Sequence, residues 1–430
     1  MQLFFRQMFC LRRTTRLRTA CAALATVSLT TSSSCSDERP ADDELSIGER
    51  WEPRSTWEPK LAAVVAYRCG DCHAGDGPAR QRFKNATDLD QAREAIAAAV
   101  GNRTMPPWGP SADCMSLAPT RVLTSEEKER ILKWARSGVP LSASFNASPA
   151  ATAAMPLPDL TLTLPLAAIG SLDDINPCIH TPLPFDATRF VYRARVLTEH
   201  PLRLHHASLF AGPPGARQDG CPEMRTLLGG AGIGTPPMTL PDGVGAAIEA
   251  NDALGLELHY AAPTSTESAI LSDSLKVELW LYPAATPPDF LWTVATATAP
   301  DFIIPAGNAD FQVVGEIELA PNQRAIGFIP HMHALGRSIR QERVTSDGTN
   351  ACVGAINSWA FDHQDAYFFA PAERFETGAG ERLRVTCAFD NSLSNQRIVD
   401  GHQTEPVDVR TGWLARDEMC MGSLIVEVPR

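Results

Sequence analysis

Beyond about residue 160 the sequence consists of short segments in which polar and apolar residues alternate, separated by frequent Gly and Pro. A period of two is typical of half-buried strands, and Gly and Pro mark the turns between them. About 270 residues of this pattern exceed one small sandwich, so the sequence predicts two β-sandwiches with a seam near 287–300. The predicted strands include 189–196, 255–259, 275–281, 311–319 and 382–389.

The residues before 140 have a helical pattern instead. Helical segments are predicted at 61–67 and at about 89–100. Thr124-Ser-Glu-Glu127 has the sequence of a capping box, so a third helix should begin there and continue through Trp134. We therefore expect a small all-α domain at 60–140, followed by a Ser-, Ala- and Pro-rich linker at 141–160.

The first 35 residues have the layout of an export signal. They contain five arginines and no acidic residue, and a short apolar run at 19–29 that is too short to span a bilayer. Cys35 is a candidate for lipidation and hence for a membrane tether, although Ser32 stands where a lipoprotein signal usually has Leu. We expect an exported protein, which would be periplasmic, envelope-associated or secreted, with a lead-in segment at 36–59.

Composition and charge exclude several classes of protein. A chain that is 44% hydrophobic and 20% charged is globular, and a net charge of -12 argues against a nucleic-acid partner. Outside the leader and the haem-type motif described next, six cysteines remain, which suits three disulfides in an oxidising compartment. They are Cys114, Cys178, Cys221, Cys352, Cys387 and Cys420.

Cys69-Gly-Asp-Cys72-His73 has the spacing of a covalently attached c-type haem. That group needs two thiols for thioether bonds and an adjacent imidazole that reaches the iron from the same turn. No second cysteine pair follows at zinc spacing, so a zinc site is disfavoured. The sequence predicts one haem c bound by these three residues.

Met105 is the predicted second ligand of the haem iron. It lies in Thr104-Met-Pro-Pro-Trp108, where the prolines stiffen the backbone that presents the thioether, and Met115 is the competing candidate. Together with Leu123-Thr-Ser-Glu126 and Trp134-Ala-Arg-Ser-Gly-Val-Pro140, this motif resembles the end of small bacterial cytochrome c domains. The resemblance covers residues 60–140.

His331 and His333 are a candidate metal-binding pair in the second predicted sandwich. Residues i and i+2 of a strand point to the same face, so both imidazoles can reach one ion. Met419 would complete this set, because a soft thioether favours Cu(I) over zinc.

His205, His206 and His259 form a second candidate set, in the first predicted sandwich. Adjacent histidines point to opposite faces of a regular strand, so shared ligation by His205 and His206 requires a bulge or a strand end. By itself, His259 is equally explained as a hydrogen-bonded histidine of a sheet.

Five sequence motifs occur in an order that carries a family resemblance. They are Leu204-His-His-Ala-Ser-Leu-Phe210, Leu240-Pro-Asp-Gly-Val-Gly245, Leu256-Glu-Leu-His-Tyr260, His331-Met-His-Ala-Leu-Gly336 and Asp417-Glu-Met-Cys420. This succession, over roughly 160–430, resembles the copper type II, ascorbate-dependent monooxygenases, the family of peptidylglycine α-hydroxylating monooxygenase and dopamine β-monooxygenase.

The resemblance implies a fold and two copper sites with different roles. The fold would be multidomain, with the all-α cytochrome c domain followed by two all-β, jelly-roll-like sandwiches at 161–290 and 291–430 that face each other across a solvent-filled cleft. His205, His206 and His259 would hold an electron-transfer copper. His331, His333 and Met419 would hold the catalytic copper that binds O₂.

The resemblance also implies a disulfide between Cys387 and Cys420, beside the methionine ligand. Cys178 and Cys221 are then the best candidates for a second bridge. Cys114 and Cys352 are left over and can pair only if the haem domain contacts the second sandwich, so that pair stays open.

The expected activity is hydroxylation of a C–H bond of a small organic substrate by O₂, with two copper ions and one haem c. Electrons would come from an ascorbate-like donor or a redox protein, relayed by the haem. Met421, Gly422 and Ser423 stand where peptide-processing members have substrate-contacting Asn and Tyr, so amidation of glycine-extended peptides is not expected. The alternative is a non-catalytic copper-binding or electron-transfer haem protein.

Four further histidines, at positions 180, 200, 363 and 402, match no ligand position of the family and are interpreted as solvent-facing or structural.

Overall fold

The computed structural model describes residues 52–73, 81–83, 85–106, 109–111, 113–118, 122–146, 156–169, 178–199, 204–215, 225–232, 237–260, 271–361, 363–396, 398–399, 402–413 and 416–430. The predicted export signal, Cys35, Trp108 and Cys221 lie outside these ranges, as do His200 and the side chain of His402. Within them, no helix is both long and apolar enough to cross a membrane.

Five helices lie in the first part of the described chain: α1 (Arg54–Arg68), α2 (Gly70–His73), α3 (Ala86–Gln91), α4 (Arg93–Gly101) and α5 (Ser125–Ser137). The predicted helix at 61–67 is confirmed within α1, and the one predicted at 89–100 is divided between α3 and α4. Their apolar faces pack around Leu61, Leu89, Ile131 and Trp134, each at most 2% exposed.

The capping box that opens α5 is confirmed. The backbone N–H of Glu127 donates to Thr124 Oγ1 at 3.1 Å, and the backbone N–H of Thr124 donates to Glu127 Oε2 at 2.8 Å. These bonds satisfy two amides that no carbonyl of the helix can reach. The helix ends at Gly138, whose φ of 68° places it in the left-handed region that favours glycine.

The helical core extends into the predicted linker. Leu141 and Phe145 are buried against the helices. The backbone N–H of Leu141 donates to Asp90, and that of Ser142 donates to buried Glu58. Residues 141–146 thus pack with the helices.

The regular elements in the rest of the described chain are β-strands, apart from two short 3-10 helices, which confirms the β-rich part of the expected fold. Each of the five predicted strands coincides with an observed one, and 382–389 matches β18 at both ends. The strands are β1 (Leu160–Ile169), β2 (Cys178–Pro182), β3 (Arg189–Leu197), β4 (Leu204–Gly212), β5 (Thr226–Gly232), β6 (Met238–Thr239), β7 (Val244–Ile248), β8 (Ala253–Tyr260), β9 (Leu271–Leu281), β10 (Phe290–Thr298), β11 (Ile303–Ile304), β12 (Phe311–Glu318), β13 (Arg324–His331), β14 (Gly336–Val344), β15 (Asn350–Ile356), β16 (Tyr367–Phe368), β17 (Phe375–Glu376), β18 (Arg382–Phe389), β19 (Ile398–Val399), β20 (His402–Gln403), β21 (Val409–Arg410) and β22 (Met421–Pro429).

A ten-stranded sheet, in the order β1-β9-β3-β7-β10-β22-β13-β16 with β6 and β17 at its side, contributes to two apolar cores. The sheet β2-β8-β4-β5 packs on one part of it around buried residues such as Val191, Leu209 and Leu256. The sheet β12-β18-β14-β15 packs on the other part, around Phe389 and Leu424. Each pair of facing sheets is a sandwich whose inner faces exclude water.

The ten-stranded sheet continues through the predicted seam. Strand β10 pairs in parallel with β7 and antiparallel with β22. Trp292, within the predicted seam, and Ile326 and Ile425, beyond it, are buried in the first core. Trp292 Nε1 donates to the carbonyl of Leu227 at 2.9 Å. The two sandwiches therefore share one sheet and part of one core.

Disulfides connect parts of this fold. Cys387 is bonded to Cys420, which confirms that pairing, and joins β18 to the residue before β22. Cys114 is bonded to Cys352 across 238 residues, which resolves the pair that the sequence left open. Cys178 is also disulfide-bonded, and its expected partner Cys221 lies outside the described residues.

The segment 113–118, here called the strap, contacts the second sandwich beside the Cys114–Cys352 bond. Its backbone bonds run from Ala118 N–H to Phe368 at 2.8 Å and from Ala370 N–H to Ser116 at 2.9 Å. The strap thus adds a short extra pairing next to β16. The predicted haem domain, 60–140, therefore contacts the second sandwich through the strap, which is the condition for pairing Cys114 with Cys352.

Candidate metal centres

One cavity of ≈ 390 Å³ is lined by candidate ligands from both predicted copper sets. His206 reaches it from β4, His331 from the end of β13, and His333 and Met419 from the segments that follow β13 and precede β22. The family resemblance implies two sets on opposite sides of a solvent-filled cleft. In this structure the described members of both sets line the same cavity.

The ring centroids of His331 and His333 lie 5.2 Å apart, and the rings are perpendicular. At that separation both imidazoles can bind one ion placed at the usual metal–nitrogen distance of about 2.0 Å. Strand pairing brings Met419 to the same place, because His331 is the register partner of Met421. Met419 is 7% exposed and lines the cavity, so the structure brings this predicted set together.

Hydrogen bonds determine which nitrogen of each ring can bind a metal. The Gln364 amide donates from Nε2 to the carbonyl of Phe361 at 3.2 Å, so its Oε1 must accept the hydrogen of His331 Nδ1, 2.5 Å away. His333 Nδ1 donates to the carbonyl of Asp417 at 2.9 Å. Both rings therefore keep the Nε2 lone pair for a metal.

Glu418 joins the two segments that carry this set. Its carboxylate is buried and accepts the backbone N–H groups of His333 at 2.9 Å, Leu335 at 2.6 Å and Met419 at 3.2 Å. Burial raises the pKa of Glu418 to about 8, while the three N–H groups oppose that rise. Glu418 thus holds the segment that carries Met419 against the segment that carries His333.

Sequence reasoning missed Glu418 and Gln364. Glu418 lies 85 residues from His333, and Gln364 lies 33 residues from His331, so no local spacing relates them to their partners. The only available signal was the position of Glu418 directly before a candidate ligand.

Burial also keeps both imidazoles neutral. It lowers the pKa of His331 to about 3, with a further contribution from His333, and it lowers the pKa of His333. Neutral imidazole is the form that binds metals, so protons compete weakly for these two rings near neutral pH.

The other predicted set lies on paired strands. His206 of β4 is the register partner of His259 of β8, and the ladder shifts between Leu204 and His206. The irregularity falls at His205, where the sequence required a bulge for shared ligation. The side chains of His205 and His259 lie outside the described part of the structure, so their predicted role as ligands stays a prediction.

The two sets are close to each other. The ring centroids of His206 and His331 lie 6.3 Å apart, with the rings nearly perpendicular. The ring of Phe361 contacts a histidine of each set: its centroid lies 6.4 Å from that of His206 and 5.9 Å from that of His333.

The remaining cavity wall is mainly apolar. It includes two carboxylates, Glu257 and Asp365, and among its described residues there is no Lys or Arg. The apolar wall residues are Ala207, Phe210, Leu227, Met238, Val294, Ile329, Pro330, Ala366, Trp413 and Met421.

The cysteines of the haem-type motif fit covalent attachment of a haem. Cys69 and Cys72 are not disulfide-bonded, in contrast to Cys114, Cys352, Cys387 and Cys420. Burial, followed by the neighbouring Cys72, raises the pKa of the Cys69 thiol to about 12. His73 Nδ1 donates to the carbonyl of Gln81 at 2.7 Å, which leaves Nε2 for the iron, and burial lowers the pKa of this ring.

The two candidates for the second iron ligand have different surroundings. Met105 is 40% exposed and precedes a cis peptide bond to Pro106. Met115 belongs to the strap and packs against the core of the second sandwich.

No family model and no characterised protein sequence matches the chain. Among the described residues, no three His, Cys, Asp or Glu side chains form a group able to hold a metal ion. Each predicted copper site therefore depends on a further ligand: Met419 in one, and the side chains of His205 and His259 in the other.

Proposed function

We propose that the protein is a copper-dependent monooxygenase that hydroxylates a C–H bond of a small organic substrate. One observation carries this proposal: His331, His333 and Met419 line one cavity, and both Nδ1 atoms donate hydrogen bonds, which leaves both Nε2 atoms for a metal. Two imidazoles and a thioether form a soft ligand set that favours Cu(I), the state that reacts with O₂.

The reaction consumes one O₂, two electrons and two protons, and converts a C–H bond to C–OH with release of one water. Bound copper would supply O₂ activation. The residues of the chain supply the rest: they orient the ligands, and the mainly apolar wall receives a small organic molecule and excludes water from it. A cavity of ≈ 390 Å³ is in the size range of small-molecule sites.

A c-type haem at Cys69, Cys72 and His73, in a cytochrome c-like domain, is part of the same proposal. Two cysteines outside any disulfide and an imidazole oriented by a hydrogen bond support it. The haem would relay electrons from an exported donor to the copper centre. The strap and the Cys114–Cys352 bond support this role, because they attach the predicted haem domain, 60–140, to the sandwich that carries His331.

The test begins with metal analysis of the exported, haem-loaded protein. We expect two coppers and one iron per chain, and incorporation of one ¹⁸O atom from ¹⁸O₂ into a hydroxylated product across a panel of small aromatic and aliphatic substrates. Zinc in place of copper at the histidines, or copper without any oxygenated product, would contradict the proposal. The second outcome would favour a non-catalytic electron-transfer protein.

Met419→Ile provides the sharper test. It should abolish product formation and leave the haem spectrum unchanged, because the thioether is lost while the haem motif is untouched. Met421→Ile is the matched control, since Met421 also lines the cavity but is not a predicted ligand. Equal loss of product in both variants would argue against a ligand role for Met419.

A further inference from the structure

Trp413 marks the place where the cavity opens to solvent. It lines the cavity, yet it is 68% exposed. The other large apolar side chains that the structure describes along this wall are buried or half-buried. The indole of Trp413 therefore offers an aromatic surface at the mouth of the cavity, where an incoming molecule meets it first.

Backbone hydrogen bonds fix the chain directly before Trp413. The N–H of Thr411 donates to the carbonyl of Phe302 at 3.1 Å, and Thr411 Oγ1 accepts the N–H of Phe302 at 2.8 Å. The N–H of Gly412 donates to the carbonyl of Glu418 at 3.1 Å. Trp413 thus follows two anchored residues, which reduces the entropy lost when its ring orders against a ligand.

The same loop carries part of the predicted copper site. The carbonyl of Asp417 accepts the hydrogen of His333 Nδ1 at 2.9 Å, and Met419 is the second residue after Asp417. A side chain at position 412 would overlap with the carboxylate of Asp417, so the loop closes this tightly because residue 412 is glycine. The position of Trp413 is therefore coupled to that of two predicted copper ligands.

The cavity wall beside His331 offers apolar contact and little hydrogen bonding. Ile329 and Met421 line it with apolar groups. The hydroxyls of Thr296 and Ser423 also line it, but they bond to each other at 2.8 Å. Among the wall residues that the structure describes, no Lys or Arg could pair with an anion. Anionic substrates are thereby disfavoured, and apolar contact supplies most of the binding.

From these observations we propose that Trp413 determines substrate specificity, by stacking on the aromatic ring of a substrate whose C–H bond faces His331, His333 and Met419. Offset stacking of two aromatic rings adds to the free energy gained from apolar burial, whereas a saturated ring of the same size gains burial alone. The proposal rests on the proposed function, because it concerns the substrate of the same cavity. Trp413 is a binding residue here and takes no part in metal ligation.

Two probes that differ only in the saturation of their ring test the proposal: benzyl alcohol and cyclohexylmethanol. Ligand-observed NMR measures the Kd of each probe with the haem-loaded protein, without reductant, so that no turnover occurs. The wild type should bind benzyl alcohol more tightly. Trp413→Ala should weaken benzyl alcohol binding about 10-fold and remove the preference, whereas Trp413→Phe, which keeps an aromatic ring, should retain most of it.

Val407→Ala is the control, because Val407 is 64% exposed but does not line the cavity. It should leave both Kd values unchanged. The proposal is overturned if the wild type shows no preference for benzyl alcohol, or if Trp413→Ala weakens both probes equally or neither. The proposed function is judged separately by copper content and ¹⁸O incorporation, since probe binding without reductant requires no oxygen chemistry.

Discussion

The two histidine sets are positioned by different physical means. His206 and His259 lie opposite each other in the β4–β8 ladder, where backbone hydrogen bonds on both sides determine their relative position. His331 and His333 lie where β13 ends, and their arrangement with Met419 depends on individual side chains, mainly Glu418 and Gln364. A ladder distributes the positioning over many bonds, whereas a buried carboxylate concentrates it in one residue.

This difference predicts different sensitivities. A single polar substitution near the ladder should change stability slightly and the metal site hardly at all. A single polar substitution beside His331 or Met419 should change both. The four predictions below test that contrast.

The largest effect is expected for Glu418→Ala. It leaves the backbone N–H groups of His333, Leu335 and Met419 buried without an acceptor, which should lower the free energy of unfolding by about 3–5 kcal/mol. Copper at His331 should be lost as well. Urea unfolding and copper analysis measure the two effects.

The matched control for that variant is Asp252→Ala. Asp252 is also a buried carboxylate, and it accepts the backbone N–H of Glu249 and the guanidinium of Arg225 away from the cavity. The Asp252→Ala variant should be less stable than the wild type but should keep both coppers. If it loses copper to the same extent, Glu418 has no special positioning role.

The next largest effect is expected when Cys387 and Cys420 are both replaced by serine, which removes their disulfide bond. This bond constrains the residue directly after Met419, so its loss should cost about 2–4 kcal/mol and weaken copper binding at His331, His333 and Met419. Serine at Cys114 and Cys352 is the comparison, because that bond lies at the strap. The Cys114/Cys352 double variant should lose a comparable amount of stability but keep all of its copper. If both double variants lose copper, the Cys387–Cys420 bond has no special role at the metal site.

A smaller effect is predicted for Gln364→Leu, which removes the acceptor of His331 Nδ1. Loss of such a partner typically weakens metal binding about 10–100-fold. Competition with a copper chelator measures this change. Gln364→Glu retains an acceptor and should restore most of the affinity, and Gln396→Leu, outside the cavity, should have no effect on copper. Unchanged affinity in Gln364→Leu would show that the strand end alone orients the ring.

The smallest effect is expected beside the ladder. Tyr260, the residue after His259, donates its hydroxyl to buried Asp273 at 2.7 Å. Asp273 also accepts hydrogen bonds from Thr198 and from the backbone of Glu199, so Tyr260→Phe should cost about 1 kcal/mol. Thermal unfolding should show this loss with both coppers retained. Loss of copper in Tyr260→Phe would mean that the set of His205, His206 and His259 also depends on hydrogen bonds of individual side chains.

Local features of the fold were predictable because they arise within a few residues. The capping box at Thr124 and the strand at 382–389 are set by hydrogen bonds and by side-chain alternation over short spans. The irregularity at His205 was also predictable, since two adjacent histidines cannot share a face of a regular strand.

Features that depend on distant partners were not predictable in the same way. The Cys114–Cys352 bond required knowing that the strap contacts the second sandwich. The roles of Glu418 and Gln364 required knowing which backbone and ring atoms would be buried beside them. The membership of Trp292 and Ile425 in the first core likewise depends on the folded chain, because distant strands bring them there.

The sequence by itself determined the candidate ligands and their local geometry: a CxxCH motif, histidines two residues apart at a strand end, and a methionine next to a cysteine. Periodicity and spacing decide these features, since they depend on backbone geometry alone. Only the tertiary structure decided that His206 and His331 share a cavity and that Glu418 holds two of its segments together. Burial of apolar surface between distant segments selects those contacts, and burial is a property of the whole fold.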